Sequence, residues 1–341
     1  QRDSSFALDE LHDGRERKNG KVDFPRMSVG GIDAGFFIVW TSQGERNAEA
    51  YKNVKEEALT ILEVIKSNVE KFPNSAELAY SSKDVERIVD DRKHAILIGM
   101  ENGYPIGMDI SLVEEFYDLG IRYITLCHYE DNDICDASTD KSNDEGLSDF
   151  GIEAVERMNE LGIIIDVSHS GQQTTDDAIK FSKAGISFNH TMCEALHKNH
   201  PRAKTDSQIK AMADKGGVMG VICLGYMIGP NLGIDTTLET YINHIDHAVK
   251  IAGIDHVGVA ADFAIEGLEA NGATRENWYV PRLTRFKPSY KVQWPPWIPE
   301  LDKPERYKSV AYALDKRGYS TGDIEKILGL NWLRYYDEIL K

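Results

Sequence analysis

Five side chains suited to metal or proton chemistry stand at the ends of short apolar runs: Glu101, His128, His169, His190 and Asp262. The clearest pair is Gly162-Ile-Ile-Ile-Asp-Val-Ser-His169 and Gly185-Ile-Ser-Phe-Asn-His190, two runs of strand length that begin at Gly and stop on His. A helical pattern lies between them. Two strands joined by a helix, each delivering an imidazole at its C-terminal end, describe a parallel sheet or barrel with a site at its mouth. A single His after a strand reads as a hydrogen-bonded structural residue. Five reactive strand ends in one chain read as a site.

Neutral imidazoles and carboxylates are ligands for Zn²⁺ and similar cations. A carboxylate such as Glu101 can bridge two of them. Two cations about 3.5–4 Å apart can hold a hydroxide nucleophile and polarise a carbonyl. A further carboxylate then serves as general base and acid. This set suits metal-assisted hydrolysis. Nucleophilic catalysis finds less support, because no G-x-S-x-G elbow is present and Ser168 is too close to His169 in sequence to imply a triad. Arg202 follows His197 and His200 in a loop, and a guanidinium suits two-pronged capture of a carboxylate. His244 and His247, at i and i+3 of a helix, read as structural or solvent-facing. His256 starts a strand, at the wrong end of a barrel for catalysis. Asp131, Asp133 and Asp136 lack the calcium-loop pattern. Trp294 and Trp297 read as packing a long loop over the barrel, or as walling a pocket.

These residues need a scaffold of alternating strands and helices. Strands are expected at Gly31–Trp40, Ala95–Glu101, Tyr123–His128, Ile163–His169, a run ending at His190, Gly217–Leu224 and His256–Asp262. Helices are expected between them, the longest over 47–71 with Val54, Ala58, Leu62, Ile65 and Val69 at helical spacing. Residues 1–30 read as polar and loop-like, 264–304 as an irregular insertion, and 305–341 as C-terminal helices. Alternating β and α elements imply an α/β fold with a parallel sheet. The expectation is a (β/α)8 TIM barrel in one domain over 1–341, its first strand at or just before residue 1. A doubly wound open sheet is the structural alternative.

Composition sets outer bounds. At 341 residues, 41% apolar and 28% charged, the chain has the make-up of a globular enzyme with a large core. A formal net charge of -17 disfavours nucleic acid and anionic membranes as partners. Cys127, Cys135, Cys193 and Cys223 form no C-x-x-C pair, so buried free thiols are expected rather than a thiolate zinc site. No apolar run reaches the roughly 18 residues of a membrane span. No leader is visible, and the first residue is Gln, as in a processed or trimmed chain.

Several segments together resemble the membrane (renal) dipeptidase family, within the wider amidohydrolase group of barrels. They are Gly99-Met-Glu-Asn-Gly103, Ile124-Thr-Leu-Cys-His128, Gly146-Leu-Ser-Asp-Phe-Gly151, Met158–His169, Asn189-His190-Thr191 and Gly329-Leu-Asn-Trp-Leu-Arg334. The resemblance covers nearly the whole chain, and Met158–His169 is its most specific part. It implies a zinc-dependent barrel with two ions that cleaves dipeptides, including those with a D-residue on the C-terminal side. Glu101 would bridge the ions, with His169 and His190 completing the second site. His128 would contact the substrate and stabilise the oxyanion. Arg202 would hold the dipeptide carboxylate, and Asp262 would carry the proton.

The family's first metal site uses His-x-Asp. Here Asp3 fits as a ligand, but Gln1 stands at the His position, and an amide oxygen is a poorer zinc ligand than imidazole. The apolar Val221-Ile-Cys-Leu224 also departs from the family and is expected to alter the substrate pocket. The resemblance further implies an exported protein (periplasmic, secreted or membrane-attached) and a homodimer. The competing readings are a single-metal amide or lactone hydrolase or tailoring enzyme, and a degenerate binding protein.

Overall fold

The computed structural model describes residues 6–12, 22–140, 145–229, 236–262, 265–283, 292 and 294–341. Its organising strand is His94–Glu101, whose residues from Ala95 to Met100 are all buried. A continuous apolar run covered on both faces is what a parallel sheet requires. Eight strands are present among the described residues: β1 (Ala34–Trp40), β2 (Ala76–Leu78), β3 (His94–Glu101), β4 (Ile121–Thr125), β5 (Ile164–Asp166), β6 (Ser187–Thr191), β7 (Val218–Ile222) and β8 (Val257–Ala260).

The strands pair in parallel in the order β1-β3-β4-β5-β6-β7-β8. The short β2 adds to the first half of β3. Five strand spacings separate β3 from β8, which would be roughly 24 Å in a flat sheet. Yet ligand atoms of Glu101 and Asp262, at the ends of these two strands, lie within 4.8 Å of each other. The sheet is therefore curled into a barrel-like arc with its C-terminal ends converging. Among the described residues no ladder joins β8 to β1, and the expected first strand lies outside them.

The helices follow the anticipated spacing. The longest, Ala48–Glu70, starts where the Asn47 side chain accepts the Ala50 N–H, and buries Val54, Ala58, Ile61, Leu62, Ile65 and Val69. Two elements differ from the sequence reading. Phe24–Gly30 is a helix rather than loop, capped by Asp23 and ended by Gly31 in the left-handed region; seven residues give too little periodicity to reveal it. β2 was likewise unread, since three residues cannot show alternation. The last expected helix is a short helix at Thr321–Glu325, a π-helical turn at Lys326–Leu330 and a helix at Asn331–Ile339.

That C-terminal segment gives the Gly329–Arg334 motif a structural role. Trp332 lies against Gly220 of β7 and Gly258 of β8, where an added Cβ on Gly258 would stand 2.3 Å from the indole nitrogen. The Asn331 amide donates to the carbonyls of Ile254 and Val257, and Tyr335 donates to Gly185. The segment closes the N-terminal ends of the strands, opposite the site. In the insertion, Trp294 and Trp297 pack edge to face at 4.9 Å. Tyr226, after β7, donates its backbone N–H to Pro296. No described helix is long and apolar enough to cross a membrane, and all four cysteines are buried free thiols.

His244 is a fully buried strut. Its Nδ1 accepts the Cys193 N–H at 3.1 Å, so Nε2 carries the proton and donates to the Ile228 carbonyl at 2.8 Å. Burial lowers its pKa from 6.5 to about 4. The unfolded chain therefore takes up a proton that the fold refuses, and stability falls as pH drops from 6.5 towards 4. The expected loss is on the order of 3 kcal/mol. Denaturant unfolding at pH 7 and pH 5 should show a smaller pH effect for His244→Gln than for the unsubstituted protein.

Candidate metal centre

β3 delivers Glu101 as its last residue, and β6 carries His190 within the strand. His128, His169 and Asp262 lie two or three residues beyond β4, β5 and β8, so those strands end earlier than the sequence pattern implied. The cause is local. After β5 the carboxylate of Asp166 captures the N–H of Ser168, two residues on, a side-chain turn that draws the backbone off the ladder. Asp262 has φ +61° and Asn102, just after Glu101, has φ +83°. Left-handed backbone at a non-glycine costs about 1–3 kcal/mol and is held only by surrounding structure.

The four functional groups of β3 to β6 meet closely. Glu101 Oε1 lies 3.2 Å from His169 Nε2, 3.5 Å from His190 Nε2 and 3.8 Å from His128 Nε2. The Nε2 atoms of His169 and His190 are 3.0 Å apart, and Asp262 Oδ2 is 4.0 Å from His190 Nε2. Two groups of three side chains are close enough to hold a cation: Glu101, His128 and His169, and Glu101, His190 and Asp262. The three imidazoles are buried, while the Asp262 side chain is 33% exposed at the mouth.

Burial sets the protonation of the site. It lowers His128 to about 3, with the Arg202 charge adding to the effect. It holds His169 and His190 well below the usual imidazole range, again helped by Arg202. Burial raises Glu101 well above the carboxylate range, with Asp262 adding repulsion and Arg202 opposing. Asp262, though its side chain reaches the mouth, is pushed up to about 6 by partial loss of water against the Arg202 charge, with Asp166 adding repulsion. Neutral imidazoles with free nitrogen lone pairs, facing carboxylates that lack a cation, are the donor set that a divalent metal satisfies. His190 fits in detail: its Nδ1 donates to the Asn189 amide oxygen, leaving Nε2 as a lone pair directed at Glu101 and His169.

Arg202 is buried. Its Nε donates to the Ser168 carbonyl at 2.7 Å and Nη2 to the His190 carbonyl at 3.3 Å. Among the described residues no carboxylate lies within ion-pair distance of it. His200 accepts the Arg202 backbone N–H, and His197 stacks on His200 while bonding the Met227 carbonyl. That loop braces the guanidinium and adds no metal ligand. His247 bonds Asp206 and His256 bonds the Gly217 carbonyl, both remote from the centre. The Asp131 and Asp136 carboxylates accept backbone N–H groups of their own loop, and Asp133 accepts the Tyr51 hydroxyl. Cys223 sits beside Tyr241 and Arg306, on the helix side of β7, so this residue of the apolar departure does not line the pocket. Asp3 and Gln1 lie outside the described residues.

The sequence reading missed the residues that hold the ligands. Asn102 bonds Asn132, which in turn accepts the N–H groups of Ile134 and Cys135 and donates to Leu126, joining the loops after β3 and β4. Asp166, the last residue of β5, accepts the N–H groups of Ser168 and of Asn189 within β6 and so joins the ends that carry His169 and His190. Asn102, Asp166 and Asn189 lay inside the segments that carry the family resemblance, but nothing in those segments marked them as supports, and Asn132 stood outside them.

The sequence model of the membrane dipeptidase family, peptidase family M19, matches residues 3–279. The chain belongs to that family. It is 26% identical over 339 residues to dipeptidase tcpJ of Claviceps purpurea, covering 98% of this chain and 73% of the relative. An amidohydrolase from Pseudomonas aeruginosa superposes with a TM-score of 0.78 at 25% identity, over 93% of this chain and 92% of that one. A metallopeptidase from Rhodobacter sphaeroides, solved with a phosphinate mimic of the dipeptide L-Ala-D-Ala, shares the fold with a TM-score of 0.77. It is 19% identical over 94% of this chain and 91% of that one. Family membership and site geometry agree on metal-dependent hydrolysis of the dipeptide amide bond.

A cation should stabilise the fold by satisfying Glu101 and the imidazoles. Protein stripped with a chelator is expected to melt at a lower temperature and to recover on addition of one or two equivalents of a divalent metal. The same titration on Glu101→Gln should give a much smaller shift.

Proposed function

We propose that this member of the family uses zinc and accepts L-D as well as L-L dipeptides. The observation that carries the reading is the convergence of Glu101, His169, His190 and Asp262 beside the buried Arg202. Imidazole and carboxylate donors in a closed cluster favour zinc over the harder cations. Glu101, His169 and His190 would hold one ion. A second would rest on Glu101 and Asp3, with Gln1 where the resemblance places an imidazole. Bound zinc supplies a Lewis acid for the carbonyl and acidifies water.

The chain's own groups do the rest. Asp262, with its pKa near 6, is matched to taking a proton from the attacking water and returning it to the leaving amine. His128, kept neutral by burial, can donate from Nε2 to the oxygen that gains charge as the carbonyl becomes tetrahedral. Arg202, a buried cation held by the Ser168 and His190 carbonyls, offers its remaining N–H groups to the terminal carboxylate, and so measures dipeptide length. Gln1 favours a second reading, a one-ion enzyme acting on another amide or a lactone. Two equivalents of zinc per chain support the first reading and one supports the second. A panel of L-L and L-D dipeptides tests the substrate claim.

Two substitutions test the roles. Arg202→Ala should erase the preference for a dipeptide over its C-terminal carboxamide, mainly through KM; unchanged discrimination would remove the clamp. Asp262→Asn should lower kcat by about 10²–10⁴ with zinc content intact, and substantial remaining turnover counts against the proton shuttle.

A further inference from the structure

We propose that Asp166 is a positioning residue that acts through Asn189 to fix the ring and tautomer of His190. The proposal rests on the reading of His190 as a metal ligand. Asp166 ends β5 and is completely buried. Its Oδ2 accepts the Thr125 hydroxyl at 2.8 Å and the Ser168 N–H at 3.3 Å. Its Oδ1 accepts the Ser168 hydroxyl at 2.8 Å, the Ser187 hydroxyl at 3.2 Å and the Asn189 N–H at 2.7 Å. Every contact is a donor, which is what a carboxylate needs and an amide cannot serve. One side chain thus ties the ends of β4 and β5 to β6, the three strands that deliver His128, His169 and His190.

The link to His190 has two branches. Asp166 fixes the backbone of Asn189 directly. The Ser168 hydroxyl, sharing its proton between Asp166 and the Asn189 amide oxygen 3.0 Å away, also accepts the His190 backbone N–H at 3.0 Å. The Asn189 amide oxygen, so placed, accepts from His190 Nδ1. An oxygen can only accept, so the His190 proton is committed to Nδ1, and Nε2 keeps its lone pair towards Glu101. His169 has no such device: its Nδ1 has no hydrogen-bond partner among the described residues, and its ring packs against His128 at 4.1 Å between centroids. Partners behind a ligating histidine set its orientation and basicity, and here only one of the two imidazoles is set in this way.

The test is zinc affinity of chelator-stripped protein, measured by competition with a chromophoric chelator, together with the visible spectrum of the cobalt-substituted protein. Asp166→Asn and Asn189→Leu are each expected to weaken zinc binding by about 10–100-fold and to alter the cobalt spectrum. Asn189→Asp, which still accepts from Nδ1, should stay within a few-fold of the unsubstituted protein. Folded Asp166→Asn with unchanged affinity and spectrum overturns the proposal. So does Asn189→Asp losing as much affinity as Asn189→Leu, a comparison that stands even if Asp166→Asn does not fold. His190→Ala separates the underlying assumption: if it leaves zinc affinity unchanged, His190 is not a ligand and that reading fails first.

Discussion

The constraint on which this structure depends is a half-buried carboxylate set among buried imidazoles. Glu101 lies within 3.2–3.8 Å of three Nε2 atoms and beside a second carboxylate, in surroundings that make every charged form unfavourable. Side chains alone resolve this only by neutralising, with the carboxylates raised and the imidazoles lowered. A divalent cation resolves it while leaving the carboxylates ionised and the imidazole lone pairs in use. Arg202 shifts the balance in the same direction, since its field lowers the carboxylates and the imidazoles alike.

Holding such a cluster demands rigidity from the backbone around it. The curled parallel sheet brings strand ends together that would otherwise lie far apart. Small polar side chains then fix these ends: Asn102 and Asn132 after β3 and β4, and Asp166 and Ser168 at the end of β5, bonded to Asn189 within β6. The left-handed backbone at Asn102 and Asp262 stands where the chain must leave the ladder abruptly. At the opposite end, Trp332 against Gly220 and Gly258 seals the core. The ligands are thus presented by a scaffold tied at both ends, which favours a site formed in advance of its substrate.

The sequence by itself determined the sheet, its parallel sense and the five residues that the fold brings together. Apolar runs of strand length alternating with helical periodicity leave few other folds, and each run pointed to its reactive residue at the end near the mouth. Glu101, His128, His169, His190 and Asp262 could be named because metal and proton chemistry uses few residue types. The tertiary structure alone decided how those ends meet. It also decided that Arg202 is a buried cation with no carboxylate beside it among the described residues, that His244 is a strut, and that Trp332 is a plug. The residues that position the ligands were equally hidden, because Asp166, Asn102 and Asn132 are ordinary polar residues until burial and hydrogen-bond direction give each one a task. Distances between residues remote in sequence, and the desolvation that follows from them, arise only when the sheet curls.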